Sequence, residues 1–154
     1  MLEHCRHIVM RRLLLAAVLF WLPSTASAQV VAHTVTLTTD SGGDVTAYTP
    51  TTFGEVLAVR YVPDASTPLA TGADITLTDS VTGLQVLAIT NIGLSARDFL
   101  PRAFTVDSTG ANALYAAAGS NVLDRIPVAN PIKVVVAQGG NVRSGTLYIY
   151  VQGR

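Results

Sequence analysis

Histidine is the side chain best suited to proton transfer near neutral pH, and His33 is the one histidine after residue 28. A hydroxyl nucleophile would need such a base held beside it in fixed geometry. His33 stands close to the expected start of the folded part of the chain, where ends fray and hold catalytic groups poorly. The sequence therefore predicts a surface histidine rather than a Ser-His-Asp arrangement.

Carboxylates could instead bind a metal. Asp40 and Asp44 flank a Gly-rich tip and could supply two oxygen ligands to calcium, but a plain polar turn explains the same residues and is the favoured interpretation. A structural zinc site needs about four Cys or His ligands, and residues 29–154 contain no Cys and a single His. We predict no metal and no cofactor.

Paired carboxyl groups are the requirement for glycoside hydrolysis. Glu55 is the one glutamate after residue 28, and nothing in the sequence pairs it with an aspartate. Asp74 and Asp79 stand at the two ends of a predicted strand and are expected to be solvated. With no catalytic residue to assign, the sequence predicts a protein that is not an enzyme.

Tyrosines offer binding rather than catalysis. Tyr148 and Tyr150 are two residues apart in a predicted strand, so both point to the same face. Tyrosine is enriched at protein interfaces, and the pair is therefore our candidate interface. The alternative is that the two rings simply cover one side of a sheet.

The elements that position these residues are strands. Apolar and polar residues alternate with a period of two at Val35/Leu37, at Ile75/Leu77 and at Leu147/Ile149, which is typical of half-buried strands. Turn residues recur between these segments. The fold class predicted is all-β, an antiparallel β-sandwich or jelly-roll-like domain of seven to eight strands.

Several local expectations follow from the same pattern. Residues 34–49 are predicted to form a hairpin with a flexible tip at residues 40–44, and residues 54–62 a central strand. Residues 111–118 are Ala-rich and could form one or two helical turns. Residues 132–138 and 145–151 are predicted to pair as a last hairpin, with residues 139–141 supplying the positive-φ positions of its turn.

The first 28 residues have the three parts of a secretory signal. Met10-Arg11-Arg12 is a basic start, residues 13–22 are apolar, and residues 23–28 are small and end in Ala-x-Ala. We predict a signal-like N-terminal helix in residues 1–28, beginning at Met1 or at Met10. Cleavage is expected before Gln29, which leaves residues 29–154 as the domain, with no stable membrane anchor. A short anchor or an over-extended start of translation is the alternative.

Charge limits the partners. The chain of 154 residues is 49% hydrophobic and 13% charged, with a formal net charge of zero. It therefore lacks the basic excess that draws proteins onto nucleic acid, and no nucleic-acid partner is expected. Sheets with few charges have exposed edges that pair readily, so a homo-oligomer is predicted.

A run of phrases resembles small structural proteins of tailed bacteriophages and prophages. The phrases are TVTLTTD (34–40), LAVRYV (57–62), GADITLT (72–78), PR (101–102), IPVAN (126–130) and IKVVVAQGG (132–140). The resemblance extends over most of residues 31–154. It implies a virion-associated, decoration-like or other capsid-associated role, with other virion proteins as partners.

The two signals point to different compartments. A phage structural protein assembles in the host cytoplasm, whereas a signal implies a secreted or periplasmic protein. Either the domain is exported behind a true signal, or translation starts at Val31 and the signal-like segment is not made. The leading hypothesis is a non-enzymatic virion structural protein. The alternative is an exported bacterial β-sandwich domain that binds a surface ligand or an adhesion partner.

Overall fold

The computed structural model describes residues 29–116 and 119–153, so the expected signal and its helix lie outside the described residues. In the described part every regular element is a strand, and every ladder between strands is antiparallel. The all-β prediction is confirmed. Nor is there, among these residues, a helix long and apolar enough to cross a bilayer.

Eleven strands are present in the described residues, more than the seven to eight predicted, and the additional ones are only two or three residues long. The strands are β1 (Val30–Thr38), β2 (Val45–Tyr48), β3 (Gly54–Pro63), β4 (Asp74–Asp79), β5 (Gln85–Ile89), β6 (Arg97–Phe99), β7 (Ala103–Phe104), β8 (Leu123–Asp124), β9 (Ile126–Val128), β10 (Ile132–Ala137) and β11 (Ser144–Gln152).

Sheet A contains five strands in the order β1-β11-β3-β6, and β9 also pairs with β3. Strand β11 therefore lies between the first and third strands of the chain. Strand β3 has β11 on one side and β6 and β9 on the other. The prediction that residues 54–62 form an interior strand is confirmed.

Sheet B contains four strands in the order β2-β10-β4-β5. Strands β4 and β5 are joined by the turn at residues 80–84 and pair with each other. Strand β10 is interior, with β2 on one side and β4 on the other.

Both predicted hairpins, at residues 34–49 and 132–151, are wrong. Strand β1 lies in sheet A and β2 in sheet B, and likewise β10 lies in sheet B and β11 in sheet A. The β1–β2 connection (residues 39–44) and the β10–β11 connection (residues 138–143) each cross from one sheet to the other. The two connections hydrogen-bond to each other, with the Gly139 N–H donating to the Gly43 carbonyl at 2.7 Å. In the second connection Gln138, Gly140 and Val142 have positive φ, so only one of the three predicted turn positions is correct.

One face of sheet A and one face of sheet B pack into a single hydrophobic cluster. Leu37 and Ile149 of sheet A and Leu77 and Val134 of sheet B are fully buried in it, as the alternation predicted. Each such side chain removed from water stabilises the fold by roughly 1.5–3 kcal/mol. The cluster therefore depends on residues far apart in the sequence.

Tyr61 is the largest of the fully buried side chains. Its ring lies against Gly145 of the neighbouring strand, where an added Cβ would come within 2.7 Å of Tyr61 Cε2. Glycine is required at this position because any side chain would collide with the ring. Burial also raises the pKa of the Tyr61 hydroxyl.

Strands β7 and β8 form a separate two-stranded sheet, and the segment that contains them belongs to neither of the two larger sheets. Residues 105, 113 and 122 are joined by backbone hydrogen bonds of 2.8–3.0 Å, which fold the segment on itself. We call residues 103–116 and 119–124 the apolar arm. The predicted helical turns at residues 111–118 are wrong for residues 111–116, which make isolated bridges to residues 106 and 121. Residues 117 and 118 lie outside the described part.

Candidate interaction surface

Strand β11 separates core side chains from surface side chains. Leu147, Ile149 and Val151 point into the hydrophobic cluster and are at most 1% exposed. Tyr148 and Tyr150 alternate with them and are partly exposed. The structure therefore places both candidate interface residues on the outer face of sheet A, next to each other.

The neighbouring strand adds a cation to this face. Arg60 of β3 is the cross-strand partner of Tyr148, and Ala58 is the partner of Tyr150. The Arg60 guanidinium lies 3.7 Å from the Asp98 carboxylate and keeps about half of its side chain exposed (49%). We call Tyr148, Tyr150 and Arg60 the tyrosine face. Tyrosine and arginine are the residue types that contribute most to protein interfaces, so this face can bind a partner through ring contacts and hydrogen bonds.

The apolar arm carries a second exposed surface. Val122 is partly buried, but the other five large apolar side chains are at least 44% exposed, and Tyr115 reaches 77%. They are Phe104, Val106, Leu114, Tyr115 and Leu123. Exposed apolar groups that cluster in one segment commonly mark a surface for a partner. The Ala-rich pattern of residues 111–118 predicted helical turns instead of this surface, although six large apolar residues within residues 103–124 were a visible signal.

His33 makes a hydrogen bond that does not suit catalysis. Its Nε2 lies 2.9 Å from the Thr52 hydroxyl, and that hydroxyl donates to the Pro50 carbonyl at 2.9 Å. Because the hydroxyl has only one proton to donate, Nε2 acts as the donor in its bond to Thr52. A general base must accept the proton of its nucleophile, so this pairing does not activate Thr52.

The Asp40 and Asp44 carboxylates are used within their own turn. Asp40 Oδ1 accepts the backbone N–H groups of Gly42 and Asp44 at 2.8 and 3.1 Å, and these bonds lower the pKa of Asp40. Asp44 Oδ1 accepts the Gln138 N–H at 3.3 Å. Among the described residues no group of three or more His, Cys, Asp or Glu could hold a metal ion. The geometry therefore supports the polar-turn interpretation of these two aspartates.

The prediction that Asp79 is solvated is wrong, because this residue is only 2% exposed. Its carboxylate accepts the N–H groups of Val81 and Thr82 at 3.0 and 2.9 Å. The Asn130 amide donates to both carboxylate oxygens, at 3.0 and 3.1 Å. These bonds, those from the turn foremost, lower the pKa of Asp79 well below its usual range. The carboxylate thus ties the β4–β5 turn to the segment before β10.

Glu55 and Asp74 are also held by neighbours. Glu55 Oε2 lies 3.8 Å from the Arg125 guanidinium, and Asp74 Oδ1 accepts the Asn91 N–H at 3.0 Å. In the described part of the chain these contacts are to a guanidinium and a backbone N–H, whereas glycoside chemistry requires a second carboxylate.

Fold and surface define an all-β protein with two larger antiparallel sheets and a small two-stranded one, which carries partly exposed aromatic residues. No family model and no curated protein match the chain. Among solved structures it is similar to a crystal structure of FlhE, with 13% identity and a TM-score of 0.40, over 80% of this chain and 98% of that chain. At that TM-score the similarity carries no argument about function.

Proposed function

We propose that this chain is a non-enzymatic, phage-type virion structural protein, capsid-associated or decoration-like, that acts by assembling with copies of itself or with other virion proteins. Its two sheets then pack face to face as a β-sandwich, since each of them buries one face in the same cluster. No cofactor is needed for such a role.

The apolar arm is the observation that carries this proposal. A monomer that remains free in solution seldom presents several large apolar side chains on one segment, because their burial against a partner is favourable. Few charges oppose such contacts, since only 13% of the chain is charged. The phrases that resemble phage structural proteins agree with an assembly role.

Particles from the source strain provide the test. After prophage induction, the particles are banded on a density gradient and the chain is quantified against the major capsid protein by mass spectrometry. We expect the chain to band with the particles at a fixed ratio. A chain that stays in the soluble or exported fraction, with none in the particle band, would refute the proposal.

Two matched variants locate the contact. Tyr115→Ser changes the arm, and Val81→Ser changes an equally exposed residue in the β4–β5 turn (77% and 74% exposed). We expect both proteins to fold, but only Tyr115→Ser to be depleted from the particles. Equal depletion of both variants, or of neither, would show that the arm is not the contact.

The alternative proposal is an exported β-sandwich domain that binds a surface ligand or an adhesion partner. The order of basic, apolar and small residues in residues 10–28 favours it, and the tyrosine face would be its binding surface. The mass of the chain made from the full gene separates the two proposals. A product that starts at Gln29 in the periplasm or medium supports export, and a cytoplasmic product that starts at residue 31 supports the virion role.

A further inference from the structure

Strand β1 forms an open edge of sheet A. It is nine residues long and pairs with β11 alone among the described strands. Thr34, Thr36 and Thr38 are exposed along it, as are Val30 and Ala32. An open strand edge presents unpaired backbone N–H and C=O groups to solvent and is a template for another strand.

The register shows which backbone groups are free. Thr39 N–H donates to the Arg143 carbonyl, and Gly153 N–H donates to the Gln29 carbonyl, so residues 29 and 39 direct their backbone groups toward β11. Because these groups alternate sides along an antiparallel strand, the odd-numbered residues bond to β11. The backbone groups of the even-numbered residues, 30 to 38, point away from the sheet.

The lack of charged residues on β1 allows this edge to pair with the same edge of a second copy. Residues 30–38 (VVAHTVTLT) include no Asp, Glu, Lys, Arg or Pro. Natural edge strands are usually protected by such residues, and like charges facing each other across a strand pair are destabilising. Neither obstacle is present when β1 meets a second β1.

The other edges are less suitable. Strands β6 and β9 at the far side of sheet A have three residues each, and β6 contains an Arg and an Asp. In sheet B the edges are β2, with four residues, and β5, with five residues and an irregular register. Residues 92–102 supply β6 and so cover β3 rather than β1.

We propose that two copies of this chain pair through β1, antiparallel and centred on Thr34, which joins two copies of sheet A into one continuous sheet. This inference rests on the proposed assembly function and names its contact. Residues 30, 32, 34, 36 and 38 of one copy then face residues 38, 36, 34, 32 and 30 of the other. Each facing pair exchanges two backbone hydrogen bonds, so about ten bonds form across the junction.

The side chains support the same register. Val31 is 42% exposed in the single chain although it lies on the face that buries Val35 and Leu37. In the centred pair Val31 of one copy lies beside Leu37 of the second copy, and apolar neighbours across a strand pair stabilise it. A slip of one copy by a single residue, which would set even-numbered residues opposite odd-numbered ones, would leave the free backbone groups without partners.

Sedimentation of the product of the full gene tests the pairing, with its mass measured first to define the N terminus. We expect wild type at twice the mass of the single chain, and Thr34→Lys at the single-chain mass because two lysines would face each other at the centre. Thr34→Pro removes the outward N–H without a charge and is tolerated at an edge, so it should also be monomeric. Each should raise the dissociation constant at least tenfold.

Thr46→Lys is the matched control, since Thr46 is an exposed threonine on β2, the edge of sheet B. It should remain dimeric, and circular dichroism must show that every variant is folded. Wild type that is monomeric over a hundredfold concentration range overturns the proposal. So does a folded Thr34→Lys or Thr34→Pro protein that still dimerises.

A thiol crosslink tests the register. In a Cys5→Ser chain, Thr34→Cys places the two thiols opposite each other, whereas Thr36→Cys places them four residues apart along the junction. A short thiol-specific crosslinker should therefore join the first pair and not the second, and the reverse result overturns the centring on Thr34. A chain that bands with particles but does not pair through β1 supports the virion function and refutes the pairing. A chain that pairs through β1 but is absent from particles supports the pairing and refutes the virion function.

Discussion

Asp79 offers the sharpest test of how the fold is held together. Replacing it with Asn keeps the size of the side chain, and one oxygen can still accept the N–H groups of Val81 and Thr82. The other oxygen becomes an NH₂ group that faces the Asn130 NH₂ and the Ala129 N–H, which in the wild type donate to that oxygen at 3.1 and 3.4 Å. Asn130 keeps its bond to the remaining oxygen at 3.0 Å. The variant therefore loses the charge of the acceptor and leaves two buried donors, its own NH₂ group and the Ala129 N–H, without an acceptor.

The expected cost follows from those changes. A hydrogen bond to a charged group contributes about 1.5–3 kcal/mol, and an unsatisfied buried polar group costs about 1–3 kcal/mol. Since the two contributions overlap, we expect Asp79→Asn to lower the free energy of unfolding by about 2–4 kcal/mol. A domain of this kind has only about 5–15 kcal/mol in total, so urea unfolding at pH 7 will show the change clearly.

Asp64→Asn is the matched control. Asp64 also accepts the N–H groups of the second and third residues after it, Ser66 and Thr67, at 2.8 Å each, but it is exposed, and its further bond comes from the Thr67 hydroxyl of the same turn at 3.2 Å. Its unfolding midpoint should stay close to that of wild type. Equal midpoints for Asp79→Asn and wild type would refute the argument that the buried carboxylate joins the two segments.

The pH dependence has a defined sign. The pKa of Asp79 in the folded protein lies well below the ordinary value for an aspartate, so the ionised carboxylate stabilises the fold fully above that ordinary value. As the pH falls below about 4, the unfolded chain takes up a proton that the folded chain does not. Wild type therefore loses stability there, and its advantage over Asp79→Asn should shrink between pH 5 and pH 3. A constant difference would contradict the assignment.

Three further changes are predicted from the geometry. Val134→Asp puts a charge in the fully buried centre of β10 and should abolish cooperative thermal unfolding, whereas a wild-type melting curve would show that this strand is peripheral. Gly145→Ala directs a Cβ to 2.7 Å from the Tyr61 ring and should lower the melting temperature by several degrees, with Gly72→Ala, which meets nothing closer than 3.8 Å, as its control. Val142 is a β-branched residue with a φ of 49°, so Val142→Gly should raise the free energy of unfolding by roughly 0.5–1 kcal/mol, and a measured decrease would argue against strain.

Alternation in the sequence predicts which face of a strand is buried. Leu147 and Ile149 are buried as expected, and from the same period of two, Tyr148 and Tyr150 had to lie together on the other face. The candidate interface could therefore be located from one strand alone. Arg60 could not be added to it, because its place beside Tyr148 depends on the pairing of β3 with β11.

The alternation of apolar and polar residues does not predict which strands pair with each other. Each of β1, β2, β10 and β11 is correct as a strand, yet both predicted hairpins fail because the connections cross from one sheet to the other. Facing sheets are about 10 Å apart, and neighbouring strands of one sheet about 4.8 Å. A crossing loop therefore needs a wider turn, which here uses Gln138 and Val142 in addition to Gly140. The burial of Asp79 could not be predicted from the sequence either, because its partner Asn130 lies 51 residues away in the chain.

The position of β11 has a consequence for synthesis. Sheet A needs β11 between β1 and β3, and β11 follows every other described strand in the chain. A nascent chain on the ribosome therefore holds β1 and β3 without their common neighbour until more than a hundred further residues have been made after Thr38. Loops of that length close slowly. We expect sheet A to form only after β11 has been made, and until then the chain depends on chaperones that cover its unpaired strands.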